Sequence, residues 1–258
     1  MLELVGLQYD IAWENPTENI ARTRLLIDSQ PGDGTGDQLL VLPEMWATGF
    51  SMDTAVTTAA HQDSKEHLRA LAKSTGSYTL GGVVSSGGSP DALAKNQAVA
   101  FSPEGEEIAR YQKNRTFRYT GESDHYENGT ELARFECGGL QICPLICYDL
   151  RFPELFRRGV AQGAEVFVVI ANWPIVRVEH WVTLLRARAI ENLAYVVGLN
   201  RCGSDPKLSY PGRSLVIDPL GEVIADAGDS EGILRASLDP AVVRDWRREF
   251  PALRDLEC

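Results

Sequence analysis

Residues Leu140–Phe156 read LQICPLICYDLRFPELF. The first half is an apolar run of strand character, and the second opens on charge and places Pro153 where a helix begins. A strand that turns straight into a helix is the unit of α/β layering. Such a turn lifts one side chain out of the sheet and points nearby N–H groups at the same space, as in a nucleophile elbow. Cys147 stands at that junction. A helix N-terminus there would also favour its thiolate.

Cys143 and Cys147 admit four readings: metal ligands, disulfide partners, buried hydrophobes, or a nucleophile. Their CxxxC spacing lacks a second ligand pair, and His125 and His180 do not fall at zinc-finger spacing. Five cysteines, at 137, 143, 147, 202 and 258, suggest no disulfide framework. Cys143, inside the strand, reads as a buried side chain. Cys147 keeps the nucleophile reading open.

Outward from this stretch the chain alternates strands and helices. LELVGLQYDI reads as a first strand, and NPTENIARTRLLIDSQ as an amphipathic helix closed by a turn at Gly32 and Gly34. QLLVLPEM is a short strand ending in Pro43–Glu44. SKEHLRALAKSTG is a helix stopped by Gly76, and YTLGGVVSSGG a strand with a glycine turn. KNQAVAFSPEGEEIARYQK and TELARFECGGLQICPLIC each read as two strands about a turn. After the helix ELFRRGVAQGA come the buried strand EVFVVIANW, the helix EHWVTLLRARAIENLA and the strands YVVGLN, GRSLVIDPLGEVIADA and GILRASLDP. The expectation is one domain over 1–258, with 241–258 as an amphipathic tail, broken by Pro251, that either closes the domain or meets a partner subunit. VLPEM, LICYD and VVIANW are three apolar strands with polar ends, and sites gather at such ends. GDGTGD and SSGGSP lack the context of a phosphate loop and read as ordinary turns.

Composition narrows the function. The 258 residues carry a net charge of −11, from 36 acidic and 25 basic side chains. An acidic chain resists phosphate backbones, so nucleic acid is not an expected partner. There is no apolar run of about 18 residues, hence no expected membrane span. The first residues lack a basic n-region and do not read as a signal peptide, which makes a cytoplasmic setting the default.

A nucleophilic thiol needs a base. None of the four histidines, at 61, 67, 125 and 180, announces a Cys–His pair. Glu44 follows an apolar strand and a proline, where an acid is costly without a partner or a task. Read plainly, it is a loop or N-cap acid. Lys113 follows a strand in a segment dense in charge and aromatics. It is either a solvated lysine or an inward donor to a developing oxyanion that also acidifies the thiol.

LPEMWATGF, YQKNRTF, LICYDLRFPELFR and ANWPIVRVEHWVTLLRARAIENLAYVVGLNRCG together resemble the nitrilase superfamily of carbon–nitrogen hydrolases, and most closely its bacterial omega-amidase branch. The resemblance runs from about residue 3 to 240. It implies a four-layer α-β-β-α sandwich, a homodimer, and a Glu44–Lys113–Cys147 triad with no metal or organic cofactor. Glu122 is the expected second glutamate, with Glu127 its rival. Relatives carry Lys-x-His-Leu-Phe where this chain has KNRTF, so Arg115 and Thr116 stand in place of the His-Leu pair.

The chemistry so implied is hydrolysis of the terminal amide of a small 2-oxo dicarboxylic acid through a thioester, with the Tyr148 N–H and Lys113 at the oxyanion. A cysteine pKa of about 8.5 needs only modest positive charge to yield thiolate. Substrate-binding candidates are Trp46, Phe117, Arg118, Asn172, Trp173 and Arg177. Arg151 is expected to form an ion pair with Asp149 or Glu154. Trp181, Leu184 and Leu185 form a core stripe on their helix, and Arg186, Arg188 and Glu191 bind one another or cross a dimer seam. Competing readings are a carbamoyl amino acid hydrolase or a nitrilase with the same triad, and a non-catalytic scaffold.

Overall fold

A computed structural model describes residues 1–28, 37–89 and 91–256. The turn read at Gly32–Gly34 and the last cysteine, Cys258, lie outside the described residues. In chain order the elements are β1 (Leu2–Gln8), α1 (Pro16–Asp28), β2 (Gln38–Val41), α2 (Thr54–Ala59), α3 (His61–Thr75), β3 (Tyr78–Ser85), β4 (Lys95–Phe101) and β5 (Glu107–Gln112). They continue with β6 (Phe135–Cys137), β7 (Leu140–Ile146), α4 (Pro153–Ala161), β8 (Val166–Ala171), α5 (Val178–Asn192) and β9 (Tyr195–Asn200). Last come β10 (Cys202–Ser204), β11 (Ser209–Pro211), β12 (Leu215–Ile217), β13 (Val223–Asp226), β14 (Gly232–Leu238) and α6 (Pro240–Glu249).

Two six-stranded mixed sheets, ordered β14-β1-β2-β3-β4-β5 and β13-β12-β9-β8-β7-β6, stack between helices. The period of two explains the layering. In β1, Leu2 and Leu4 face the second sheet, while Val5 and Leu7 face outward under α3. In β4, Ala98 and Ala100 point inward, and Val99 and Phe101 join Leu68, Leu71 and Ala72 of α3. The strands are therefore apolar on both faces. The second sheet is covered by α4 and α5. This is the four-layer α-β-β-α sandwich.

Gly76 ends α3 in the left-handed conformation, with φ 63°, as its position after the helix predicts. Two elements escape the sequence pattern: the short helix α2 and the hairpin β10–β11. Both are too short to show a period. The tail helix α6 packs on its own chain, where Arg244 pairs with Glu165 at 2.7 Å and Arg247 donates to the carbonyls of Leu193 and Ala164. Among the described residues no helix is long and apolar enough to cross a membrane.

Candidate active site

The site forms where the carboxyl ends of the two sheets face each other. Glu44 lies just beyond β2, Lys113 just beyond β5, Cys147 just beyond β7 and Asn172 just beyond β8. Glu44, Lys113 and Glu122 are all 0% exposed. Lys113 Nζ donates to Glu44 Oε1 at 2.9 Å and to Glu122 Oε1 and Oε2 at 2.8 and 2.9 Å. Asn96 Nδ2 bridges the two acids, at 2.8 Å to Glu44 and 3.2 Å to Glu122. The other oxygen of Glu44 accepts from the Asn172 backbone N–H at 2.9 Å, and the Asn172 side chain donates to the Glu44 carbonyl at 2.7 Å. Charges this deep persist only when paired and hydrogen-bonded, and here they are.

Burial alone would lower the pKa of Lys113. The carboxylates of Glu122 and Glu44 outweigh it and raise it, so the ammonium stays charged. Glu122 also accepts from the Phe117 N–H at 2.5 Å, which ties the 113–126 loop to the lysine. Glu127 instead sits at the surface and pairs with Lys95 at 3.1 Å. Of the two rival glutamates, the geometry brings Glu122 to the lysine.

Backbone strain marks both strand ends. Cys147 has φ 45°, and so does Met45, the residue after Glu44. A left-handed conformation in a non-glycine residue costs of order 1–3 kcal/mol and is held only by its surroundings. At Met45 the room comes from Gly82, whose added Cβ would lie 2.4 Å from the Met45 nitrogen. At Cys147 the holding group is Asp149. Its carboxylate accepts from the Ile146 N–H at 3.0 Å, the Tyr111 hydroxyl at 2.7 Å and the Arg115 N–H at 2.9 Å. Burial pushes Asp149 up to about 7 despite these donors and the nearby Lys113.

The thiol departs from expectation. The residues after Cys147 form a five-residue 3-10 turn, Cys147–Arg151, and α4 begins only at Pro153. Burial pushes the thiol well above its ordinary value, Glu44 and Glu122 add to this, and Lys113 only partly opposes it. Two acids face one base, so local charge does not favour a standing thiolate. The resting group is a thiol beside a carboxylate that can take its proton.

Above these groups is a cavity with about 440 Å³ of empty space, its mouth included. Lys113, Cys147, Tyr148 and Asn172 line it together with Phe50, Phe117, Thr120, Arg151, Trp173, Pro174, Arg177, Leu208 and Tyr210. Phe117, Asn172, Trp173 and Arg177 stand where the sequence suggests. Trp46 does not: it is fully buried under α3, its ring 5.1 Å from that of His67. The turn at Met45 sends Trp46 to the outer face, and Phe50 takes the wall, 5.1 Å from Lys113 Nζ. Arg118 is exposed and lies outside the lining.

Arg151 reverses its expected role. Asp149 is occupied by the three donors above, and Glu154 pairs with Arg115 at 3.3 Å. Arg151 instead donates to His180 at 3.0 Å and lies 4.9 Å from the Trp173 ring centre, on the cavity wall. The Arg115–Thr116 departure is also accounted for. The Arg115 side chain is turned to the surface, while its backbone holds Asp149 and that of Thr116 holds Asn128. The loop keeps its course through these main-chain bonds, and the Thr116 residue is buried. Phe50, Asn96, Leu208 and Tyr210 were missed. Asn96 is buried in β4 between the equally polar Lys95 and Gln97, so nothing in the local sequence singles it out.

Arg188 and Glu191 bind each other at 2.8 Å, and Arg188 also donates to the Leu150 carbonyl at 2.9 and 3.1 Å, bracing the turn after Cys147. Among the described residues no group of three or more His, Cys, Asp or Glu side chains is arranged to hold a metal ion.

Known proteins share this architecture and about a third of this sequence. Residues 4–248 match the carbon-nitrogen hydrolase family. The chain is 35% identical to the 2-oxoglutaramate amidase of Bacillus subtilis (strain 168), over 97% of this chain and 95% of that protein. It is 36% identical to the omega-amidase YafV of Escherichia coli (strain K12), over 99% and 97%. Among solved structures, a CN-hydrolase superfamily protein of Xanthomonas campestris, determined with an arsenic adduct in its active site, superposes with a TM-score of 0.88 at 31% identity, covering 100% of this chain and 97% of that one. With nearly its whole length matched, the chain belongs to the carbon-nitrogen hydrolase family.

Proposed function

We propose that the protein hydrolyses the terminal amide of a small 2-oxo dicarboxylic acid monoamide, of the kind 2-oxoglutaramate or 2-oxosuccinamate, to the dicarboxylate and ammonia. The observation that carries this reading is a buried Glu44–Lys113–Glu122 set beside Cys147, opening into a small cavity whose wall holds two arginines. The names of the relatives in Bacillus and Escherichia point to the same substrate class.

In this reading Glu44 takes the thiol proton as the sulfur attacks the amide carbon. The developing oxyanion is met by Lys113 Nζ and the Tyr148 N–H, donors worth most in a water-poor site. Collapse breaks the C–N bond, and Glu44 passes its proton to the departing nitrogen, which leaves as ammonia. A thioester remains on Cys147. Water then attacks its carbonyl, Glu44 takes the water's proton, and breakage of the C–S bond returns that proton to sulfur. Asn172 keeps Glu44 aimed throughout. Glu122 holds Lys113 and needs no direct contact with substrate.

At the far end, the carboxylate of the substrate meets Arg151 and Arg177. Arg177 lies 5.4 Å from the Phe117 ring centre, so its planar group is oriented by stacking and its N–H fork remains available for a carboxylate. The test is ammonia release from 2-oxoglutaramate, beside glutamine, an N-carbamoyl amino acid and a simple nitrile. Fast release from the keto amide is expected; turnover of the carbamoyl compound or the nitrile in its place would overturn the assignment.

We further infer a homodimer. Exposed Ile190, Leu220, Val223 and Ile224 gather at the outer edge of the second sheet, where Leu220–Gly221 abuts Ile190, and a second copy is a fitting cover for such an apolar edge. Sedimentation equilibrium at the monomer mass would remove this inference.

A further inference from the structure

We propose that the β10–β11 hairpin is the length gauge of the cavity, with Leu208 and Tyr210 setting the longest acyl chain that can reach Cys147. The inference deepens the amidase reading above and rests on it.

The other cavity walls come from sheet ends and from the 113–120 loop; Leu208 and Tyr210 come from a separate two-stranded hairpin. That hairpin is firmly built. Asp205 closes its turn by accepting from the N–H groups of Lys207 and Leu208, each at 2.7 Å, and from the Tyr210 hydroxyl with its other oxygen. The hydroxyl of Tyr210 is thus engaged within the hairpin. What it offers the cavity is ring carbon, and Leu208 offers methyl groups.

The ring is backed by Arg201, which is fully buried and lies 4.4 Å from the ring centre. Arg201 donates to Asp10 at 2.6 Å and to the carbonyls of Ile11, Ser204 and Cys202. Those bonds pin the hairpin to the chain just beyond β1. The packing at Gly203, with φ 77°, is equally close, since an added Cβ would lie 2.1 Å from the Asp10 carboxyl carbon. A wall pinned in this way does not retreat to admit a longer ligand.

Position completes the argument. β11 packs against the 3-10 turn Ile175–Arg177. The hairpin therefore stands beside Arg177, the arginine assigned above to the far end of the substrate. An apolar wall beside the carboxylate-binding arginine makes no polar contact of its own. It bounds the methylenes between the amide and the acid. One methylene too many then presses on Leu208, and such a difference in an apolar pocket is worth roughly 10–200-fold in kcat/KM.

The experiment compares Leu208→Ala and Leu208→Phe with the unaltered enzyme. Substrates are the terminal amides of 2-oxo dicarboxylic acids with four, five and six carbons, and straight-chain aliphatic amides from propionamide to hexanamide. The readout is the ratio of kcat/KM between neighbouring chain lengths, which cancels any loss of folded enzyme. Leu208→Ala is expected to raise the six-to-five ratio by about tenfold, and Leu208→Phe to lower the five-to-four ratio. Unchanged ratios in both variants overturn the gauge. If the keto amides are inert and the aliphatic amides react, the omega-amidase reading fails; the same shift in the aliphatic series then upholds the gauge, and its absence removes it.

Discussion

In the first sheet the parallel strands β1, β2 and β3 carry Glu44 at their carboxyl end, and in the second the parallel strands β7, β8 and β9 carry Cys147 and Asn172. Both trios have antiparallel flanks and both are covered by helices. The first half supplies fixed charge: Glu44, Lys113 and, from the loop after β5, Glu122. The second supplies a neutral thiol and the amide groups that position Glu44. The difference teaches where the chemistry can tolerate exposure. Ion pairs at 0% exposure have to be complete, because one unpaired charge there is costly. The nucleophile has to stay reachable, and Cys147 is half-buried.

Removing the contribution of the second half should have the largest effect. Cys147→Ala leaves the charged set untouched and deletes the covalent route. Activity is expected to fall by at least about 10⁴-fold, as for other nucleophile deletions, with little change in melting temperature. Residual turnover within about tenfold of the parent would remove Cys147 from the mechanism.

Breaking the first half should strike activity and stability together. Lys113→Met removes the proposed oxyanion donor, which costs roughly 10²–10³ in kcat, and it strands two buried carboxylates, at about 3–5 kcal/mol. Adding Glu122→Gln to that variant should recover part of the stability and none of the rate. Urea titrations of the two variants separate the effects. Equal stability in both would mean that Glu122 and Lys113 are not coupled as their 2.8 Å contact implies.

The same division decides what could be read in advance. Cys147 and Glu44 were legible because each ends an apolar strand, where a polar residue stands out against its neighbours. The alternation of helix and strand was legible for the same reason. The stacking of the sheets was not, since strands buried on both faces read as continuous apolar runs and do not say what covers them. Trp46 was misplaced because nothing local announces the left-handed turn at Met45, which depends on Gly82 in a strand far along the chain. Arg151 was misread because its supposed partners, Asp149 and Glu154, are claimed by Tyr111 and by Arg115 from another loop. Long-range competition for hydrogen bonds leaves no trace in spacing. Leu208 lies in the hairpin turn and Tyr210 on a strand of three residues, too short for a period to show.

Recognition should be milder than catalysis. Arg177→Ala is expected to raise KM for a keto-acid amide by roughly 10–100-fold, in line with loss of a charged hydrogen bond, and Arg151→Ala similarly. Neither should alter kcat/KM for an uncharged aliphatic amide by more than a few-fold. An equal loss on both substrates would reassign the arginines from carboxylate binding to support of the wall, where Arg151 packs on Trp173 and Arg177 on Phe117.

The smallest effect concerns the outer layers. Behind the second sheet the buried Arg188 is satisfied by the Leu150 carbonyl and Glu191. Behind the first, His67 is 4% exposed and shares a hydrogen bond of 2.8 Å with the Thr23 hydroxyl. Burial, with a smaller push from Arg24, lowers its pKa to about 4. The unfolded chain binds that proton near pH 6.5 and the folded one does not, so the unfolded state gains as pH falls. The contribution of His67 is whole above pH 6.5 and shrinks on the way down to about pH 4, by about 2 kcal/mol at pH 5. His67→Gln cannot titrate and should lack this slope. Unfolding free energies at pH 7 and pH 5, compared between the variant and its parent, read the difference directly, because the carboxylates common to both cancel. A parent no more acid-sensitive than the variant would mean that His67 can be protonated in place, and that the layer behind Glu44 is as open to charge as the one behind Cys147.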